Sequence, residues 1–230
     1  MDKKLTTGQF IFTVFYLLLW PALFLFISGD WFWIEGWIFG LWFLSTTTSI
    51  IFYMYVKDPA LLAERFRKQG TGNQKTWDKI FFLAMGVFFI GWIVFIPIDS
   101  KRYLWTKDFP MVLKYIGCML LLLSSFFLYR SFADNTFLSP LVRIQAERNQ
   151  QLVTKGVYGF VRHPMYLGGL LMFVGVPLLV GSYLGLSISV FLIISLAIRA
   201  IGEEKMMLEE LVGYEHYKQK VKFRFFPHVW

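Results

Sequence analysis

Residues 10–28 contain no charged side chain and one proline, Pro21. A bilayer core needs about 20 such residues for a helix to cross it. Five further apolar runs follow, at residues 31–56, 80–98, 111–132, 164–180 and 183–198. The only acid within them is Glu35, and the only bases are Lys114 and Arg130, each near a run end, where long basic side chains snorkel. With 26 Phe and 9 Trp, and only 17% charged residues against 57% hydrophobic, one soluble core could not hide the apolar surface. The chain is therefore predicted to be all-α, a polytopic integral membrane protein with about six transmembrane helices. A disordered chain, a collagen and a disulfide scaffold are excluded, the last because Cys118 is the only cysteine. In its apolar run Cys118 reads as a packing thiol.

Charge sets the expected orientation. Of 23 Lys and Arg, two precede the first run (Lys3, Lys4), six lie in residues 57–79, five in 130–162 and six from Arg199 onward. The segment after the third run holds three, Lys101, Arg102 and Lys107, and the turns at Gly29-Asp30 and Gly181-Ser182 hold none. The positive-inside rule then places both termini and the large polar segments in the cytoplasm, with those three bases as a mild conflict. Lys3 and Lys4 resemble a signal-peptide start, but the run is long and bulky with no small-residue cleavage site, so it reads as an uncleaved span. The net charge of +8 is spread between spans rather than along a basic groove, so no nucleic-acid partner is expected. Residues 57–79 contain an amphipathic piece, 59–66, before a turn-like Gly70-Thr71-Gly72-Asn73. There is no repeat and no long linker. One membrane domain, 1–230, is expected, with four spans in 1–132 and the chemistry in 133–230.

Phosphate-loop, dinucleotide, CxxC and HExxH patterns are absent, and three scattered histidines, with His216 and His228 read as surface residues, suggest no metal site. The polar residues gather instead in the last hundred. Pro164 suits the first turn of a helix, so Arg162 and His163 stand at the mouth of the fifth span. There the free N–H groups and two basic neighbours could hold a carboxylate or phosphate, or the bases could simply anchor the span at the interface. Glu203 and Glu204 leave the sixth span side by side, about 100° apart on a helix, so they cannot serve one ligand atom symmetrically. Arg199 lies four residues before Glu203 and can pair with it. The helix is expected to continue to about Val212, with Gly213 as its stop. Arg224 lies in a basic-aromatic tail suited to acidic lipid headgroups. Such a pocket offers cations for a carboxylate, acids for an ammonium and rings for a sulfonium. An amino-acid-like zwitterion fits it.

Four motifs in order give a sharper reading. Leu152-Val153-Thr154-x-Gly156-Val157-Tyr158, then Arg162-His163-Pro164-Met165-Tyr166-x-Gly168, then Arg199-x-x-x-Glu203-Glu204, then Tyr214-x-x-Tyr217 through Arg224-x-x-Pro227 resemble the isoprenylcysteine carboxyl methyltransferase family. Phospholipid N-methyltransferases share much of this signature. The similarity covers residues 135–227, and Asp58-Pro59 through Glu64-Arg65 is similar to bacterial members. The resemblance implies S-adenosylmethionine as cofactor, bound between the ends of the last helices. It places Leu152, Val153, Tyr158, Arg162, His163, Pro164, Met165, Tyr166, Glu203 and Glu204 at that site. Gln150 and Gln151 match the two positions before Leu152, and Gln145 matches a family glutamine if a small gap is allowed. Arg199 would face the acceptor, with Glu203 and Arg224 assisting.

The same resemblance implies a lipophilic, prenylcysteine-like acceptor that enters from the bilayer and is methylated on its carboxylate. Such a transfer turns two opposite charges into none and needs no general base, so positioning and a dry site carry it. Phospholipid N-methylation is the alternative, and there a glutamate would be useful for removing a proton from the amine. An NADPH-dependent membrane reductase of related fold and a non-enzymatic transporter or scaffold are weaker readings. The uncleaved first span fits a bacterial inner membrane.

Overall fold

The computed structural model describes residues 5–67, 74–227 and 229–230. Lys3, Lys4, the Gly70–Asn73 turn and His228 lie outside the described residues. Eight α-helices make up the described chain: α1 (Thr7–Ser28), α2 (Ile34–Lys57), α3 (Pro59–Arg65), α4 (Thr76–Pro97), α5 (Met111–Asp134), α6 (Pro164–Val180), α7 (Tyr183–Glu210) and α8 (Tyr214–Lys220). Their ends follow local chemistry. Thr6 and Gln9 form a reciprocal capping box on α1, and Gly29 closes it in the left-handed conformation at φ 73°. Asp58 Oδ1 accepts from Leu61 N at 3.0 Å and Pro59 fills the first position of α3, so the Asp-Pro step starts that helix.

Helices α1, α2, α4 (with the π-turn that extends it), α5 and α7 are long and apolar enough to cross a membrane. The fifth apolar run forms α6, which at 17 residues is shorter, about 26 Å at 1.5 Å per residue against a hydrocarbon core of about 30 Å. Of about six spans expected from the sequence, this run is one, with the same bounds, 164–180. The residues before it, Arg162 and His163, are held by the C-terminal tail. Arg162 N donates to Phe223 O and His163 N to Arg224 O, each at 3.0 Å. Thirteen of the α6 residues are buried, which makes it the central helix. It packs most intimately on α5. A Cβ on Gly117 of α5 would lie 2.4 Å from Leu179 N, so only glycine permits this approach. Ser124 Oγ also donates to Gly168 O at 2.7 Å across it. The lipid-facing surface is apolar, as Phe10, Phe15, Leu83, Val87, Leu122 and Phe191 show. Cys118 is a free, partly buried thiol against the core.

The two ends of the bundle differ. At one end, the turns after α1 and α6 meet the segment after α4. Lys101 pairs with Asp30 at 2.9 Å, Arg102 donates to Ile27 O, and Ser182 Oγ donates to buried Asp99 at 2.6 Å. At the other end the large polar segments converge. Arg143 pairs with Glu64 at 2.9 Å and with Glu147 at 2.6 Å, which ties α3 to the stretch after α5. The Arg143 guanidinium beside Glu147 holds its carboxyl down at about 2. Helix α7 runs twelve residues beyond its apolar run and ends at Glu210, with Leu211 as its cap. Gly213, at φ 85°, caps the start of α8 instead.

Candidate functional site

The polar end contains a cleft of about 780 Å³, its open mouth included. The sequence-predicted residues Gln150, Gln151, Leu152, Val153, Tyr158, Arg162, His163, Pro164, Met165, Tyr166 and Glu203 all line it. Gln145, Arg199, Glu204 and Arg224 do not. Sequence reasoning missed Met206 and Met207 on α7, Tyr214 and Tyr217 on α8, and the wall from Asn135 to Arg143. Met206 and Met207 lie three and four residues after Glu203, so helical periodicity carried their signal. Tyr214 and Tyr217 stood in the motif without an assigned role. The stretch after α5 has no periodic pattern to find.

The adjacent acids of α7 divide the work as their angular separation requires. Glu204 turns away from the cleft into a buried ion cluster. Its Oε1 meets Arg162 Nε at 2.7 Å and His163 Nε2 at 3.1 Å, and its Oε2 meets Arg224 Nε at 3.1 Å. Arg162 Nη1 also donates to the carbonyls of Val221 and Lys222 at 2.7 Å. Arg224 stacks on Trp230, with its Cζ 4.6 Å from the ring centre. The cluster therefore clamps the tail along the start of α6. Glu203 faces the cleft, accepts from Tyr166 Oη at 2.8 Å, and stands 3.7 Å from His163 Nδ1. The His163 ring stacks parallel on Tyr166 at 5.3 Å and is wedged between the two acids.

The predicted Arg199–Glu203 pair is not formed. Arg199 Nε instead bonds Asp78 Oδ1 of α4 at 3.0 Å, and its Nη2 donates to Pro140 O at 2.6 Å. Asp78 is fully buried and also accepts from Gln74 and from Val142 N. A pairing 121 residues away in sequence prevails over an i,i+4 partner because Asp78 is dry, whereas Glu203 is partly solvated and already held by Tyr166. The guanidinium lies against Phe81, Phe82 and Tyr166, with 5.9 Å to the last ring.

Gln145 is a staple. Its Nε2 donates to Phe137 O at 2.6 Å, its N–H donates to Gln150 Oε1, and Arg148 donates to its Oε1. Gly156, at φ 61°, lies where a Cβ would overlap the Asp134 carboxylate, whose Oδ2 accepts from Val157 N at 2.9 Å. That contact fixes the turn presenting Tyr158. Tyr217 Oη donates to Tyr158 O at 2.7 Å, and burial pushes both phenols up. Tyr214 Oη is buried and has no hydrogen-bond partner among the described residues, although its side chain borders the cleft. A buried hydroxyl left alone costs about 1–3 kcal/mol. The first turn of α6 also lacks a side-chain cap, so its N–H groups are available.

Comparisons with known proteins bear on the family and the fold. A family model described as phospholipid methyltransferase matches residues 113–214. Protein-S-isoprenylcysteine O-methyltransferase B of Arabidopsis thaliana is 28% identical over 135 residues, 58% of this chain and 65% of that protein. Protein-S-isoprenylcysteine O-methyltransferase of Saccharomyces cerevisiae is 33% identical over 111 residues, 46% of each chain. The chain thus spans less than two thirds of the length of these curated relatives. The structure of a eukaryotic intramembrane Ras methyltransferase, an isoprenylcysteine carboxyl methyltransferase, superposes with a TM-score of 0.54 at 22% identity. The match covers 94% of this chain and 75% of the other, so the two share a fold.

Proposed function

We propose that this protein is an integral membrane methyltransferase that uses S-adenosylmethionine to methylate the carboxylate of a lipophilic, prenylcysteine-like acceptor. One observation carries the reading. Glu203, the uncapped start of α6 and Tyr214, whose buried hydroxyl has no partner among the described residues, all border one aromatic cleft at the polar end of a membrane bundle. This donor set fits a zwitterion bearing a sulfonium. The α6 N–H groups with Arg162 and His163 suit the carboxylate, Glu203 suits the ammonium, and the rings of Tyr158, Tyr166 and Tyr217 suit the cation. When bound, S-adenosylmethionine supplies an electrophilic methyl group. Glu204, Gln145 and Arg224 act as positioning residues behind this wall. Arg199 stands on the acceptor side of Tyr166.

The relatives named as carboxyl methyltransferases support the O-methyl reading. The phospholipid methyltransferase model favours N-methylation as the second. We assign one domain, 1–230, whose chemistry lies in 133–230, with α5 as the supporting partner of α6. The acceptor enters sideways from the bilayer. The polar end and both termini face the cytoplasm of a bacterial inner membrane, on the basic-residue census and the Asp58–Arg65 piece.

The test is methyl transfer from labelled S-adenosylmethionine by the purified protein into a total lipid and membrane-protein extract, followed by mild alkali. Label released as methanol means a methyl ester. Label that survives alkali means N-methylation, and no transfer to any component overturns the enzyme reading.

Two variants refine it. Tyr214→Phe removes a hydroxyl that nothing in the fold satisfies, so thermal unfolding is expected within about 1 kcal/mol of the parent. S-adenosylmethionine is expected to bind about 3–10-fold more weakly to it in equilibrium dialysis, from the loss of one hydrogen bond. Parent-like affinity would contradict this role. Arg199→Lys keeps the charge beside Asp78 but loses the planar fork. It is expected to lower kcat/KM for the acceptor by roughly tenfold or more, about one good hydrogen bond to a charged group, with cofactor affinity unchanged. The reverse ranking would remove Arg199 from the acceptor side.

A further inference from the structure

Helix α2 has a groove on each side of its lipid face. One lies between α2 and α5, about 1330 Å³ with its open side included, and follows α2 from Lys57 to Trp42. The other lies between α1 and α2, about 1180 Å³ with its open side included, and follows α2 from Tyr55 to Thr48. Phe52, 67% exposed, borders both and forms the ridge between them. Residues two apart on a helix stand about 200° apart around its axis, so Lys57 and Tyr55 open one groove each. At 1.5 Å per residue the first groove is about 22 Å long. The second follows α1 from Thr7 to Leu17, about 15 Å. Each is long enough to cross the hydrocarbon of one leaflet, about 15 Å. Neither shares a lining residue with the cleft.

Polarity changes along these grooves. The polar atoms on the deep floor of the first are spent within the fold. Thr46 and Ser125 share a hydrogen bond at 2.7 Å, and Trp42 Nε1 donates to Ser125 Oγ at 2.7 Å. Ser45 Oγ and Ser49 Oγ donate to carbonyls of their own helix. The second groove is lined by Leu5, Phe10, Val14, Leu17 and Ile51, with threonines and Tyr55 as its polar residues. Hydrocarbon is the chemistry that both floors suit. At the polar end the donors are unspent. Lys57 Nζ and Tyr129 Oη in the first groove, and Tyr55 Oη in the second, take no hydrogen bond and no ion pair among the described residues. Lys57 stands one turn after Tyr53, whose Oη donates to Ala133 O at 3.0 Å and whose ring meets that of Tyr129 at 5.6 Å. A groove that is apolar at depth and cationic at its mouth fits an amphiphile with an anionic head. Two such grooves about one ridge fit two chains.

We propose that α2 binds a two-chain anionic phospholipid from the leaflet at the polar end. One chain lies in each groove, astride Phe52, with the phosphate at Lys57. Tyr129 and Tyr55 donate to phosphate or ester oxygens on their own sides. Because the site is separate from the cleft, it does not depend on the methyltransferase reading.

The test titrates lipids onto the full-length protein in non-ionic detergent and reads bound lipid by native mass spectrometry. The probes are dioleoyl phosphatidylglycerol, dioleoyl phosphatidylcholine and oleoyl lysophosphatidylglycerol. Phosphatidylglycerol is expected to saturate at one per chain. Phosphatidylcholine, with no net charge to meet Lys57, is expected to bind about fivefold more weakly, the effect of one lysine at a membrane surface. The lysolipid leaves one groove empty and is expected to bind at least about tenfold more weakly than its two-chain parent. Lys57 is exposed, so Lys57→Gln should fold normally and bind both two-chain lipids equally. Thr48 is also exposed, and Thr48→Trp places an indole in the α1–α2 groove. It is expected to weaken two-chain phosphatidylglycerol to the level of the lysolipid and to leave the lysolipid unchanged. Ser49→Trp, which obstructs the other groove, carries this arm if Thr48→Trp does not fold, and it should weaken both lipids. Equal binding of the two head groups by the parent, or selectivity that survives Lys57→Gln, would overturn the proposal. So would a lysolipid that binds as tightly as the two-chain lipid. A lipid-free dimer that Thr48→Trp abolishes would give this face to a second copy and overturn it as well.

Discussion

The Glu203→Gln protein is expected to bind S-adenosylmethionine at least about tenfold more weakly, and to lose methyl transfer in proportion, while unfolding as the parent does. The magnitude follows from the bond removed. A hydrogen bond to a charged partner contributes about 1.5–3 kcal/mol, or roughly 10–150-fold in affinity. Glu203 is the acid that α7 turns toward the cleft, and its side-chain hydrogen bond among the described residues is from Tyr166 Oη at 2.8 Å. Glutamine keeps the shape and can still accept from that phenol. What it loses is the charge offered to the ligand's ammonium. Because the Glu203 side chain is 28% exposed, no buried cation is stranded by the change, and the fold has little reason to weaken. Equilibrium binding with labelled S-adenosylmethionine and a thermal unfolding curve of the same preparation decide the matter. A variant that binds like the parent removes Glu203 from the cofactor site. A variant that fails both measurements shows the residue to be structural.

How far the fold was legible depended on the kind of signal. The apolar runs gave the helices because a bilayer-length stretch without charge has few other ways to bury itself. The Asp58-Pro59 step announced α3 through its cap and its missing N–H. The start and length of α6 were legible too, since the run 164–180 with Pro164 in its first turn is the helix Pro164–Val180. What no local pattern predicts is that Arg162 and His163 before it bond to backbone about 60 residues away, at Val221 through Arg224. The same limit applied to Arg199. Spacing on one helix offered Glu203, but the preferred partner, Asp78, lay on α4 in a drier place. Local rules count neighbours along the chain, whereas buried charge selects the partner whose desolvation is already shared.

The cleft shows the same division. Residues placed by the Leu152–Tyr158 and Arg162–Tyr166 motifs line it because each motif is a turn or a helix start whose backbone fixes the side chains. Gly156 at φ 61° and Pro164 at the first position of α6 are the local devices. Gln145 and Arg224 were legible as part of the region but not as supports, since a buried glutamine bonding three backbone and side-chain groups resembles a ligand-facing one until the loop is folded. Tyr214 entered the sequence reading only as a motif letter. Its unsatisfied hydroxyl is a property of packing, invisible until the neighbours are in place.

Glu204→Ala is expected to behave in the opposite way to its neighbour's substitution, with a loss of stability of about 3–5 kcal/mol, typical of breaking a buried ion pair on one side. Glu204 is 2% exposed and is the anion that Arg162, His163 and Arg224 share. Without it, buried Arg162 keeps only the carbonyls of Val221 and Lys222 as acceptors, and Arg224 loses its anion. The tail from Val221 to Trp230 should then release from the start of α6, and the cleft should lose Arg162 and His163 from their places. Cofactor affinity falls as a consequence of that release, so it should fall together with the unfolding temperature and with protection of the tail from proteolysis. Glu204→Gln should be milder, since an amide oxygen can still accept from one arginine, but it cannot balance two. The contrast between the neighbours is the decisive measurement. Weakened binding at an unchanged unfolding temperature belongs to Glu203, and a lowered unfolding temperature with early tail cleavage belongs to Glu204. If Glu204→Ala unfolds within about 1 kcal/mol of the parent, below the cost of stranding one buried charge, the ion cluster does not hold the tail, and the start of α6 must be positioned by the aromatic packing of Phe225 on His163 and Tyr166 alone.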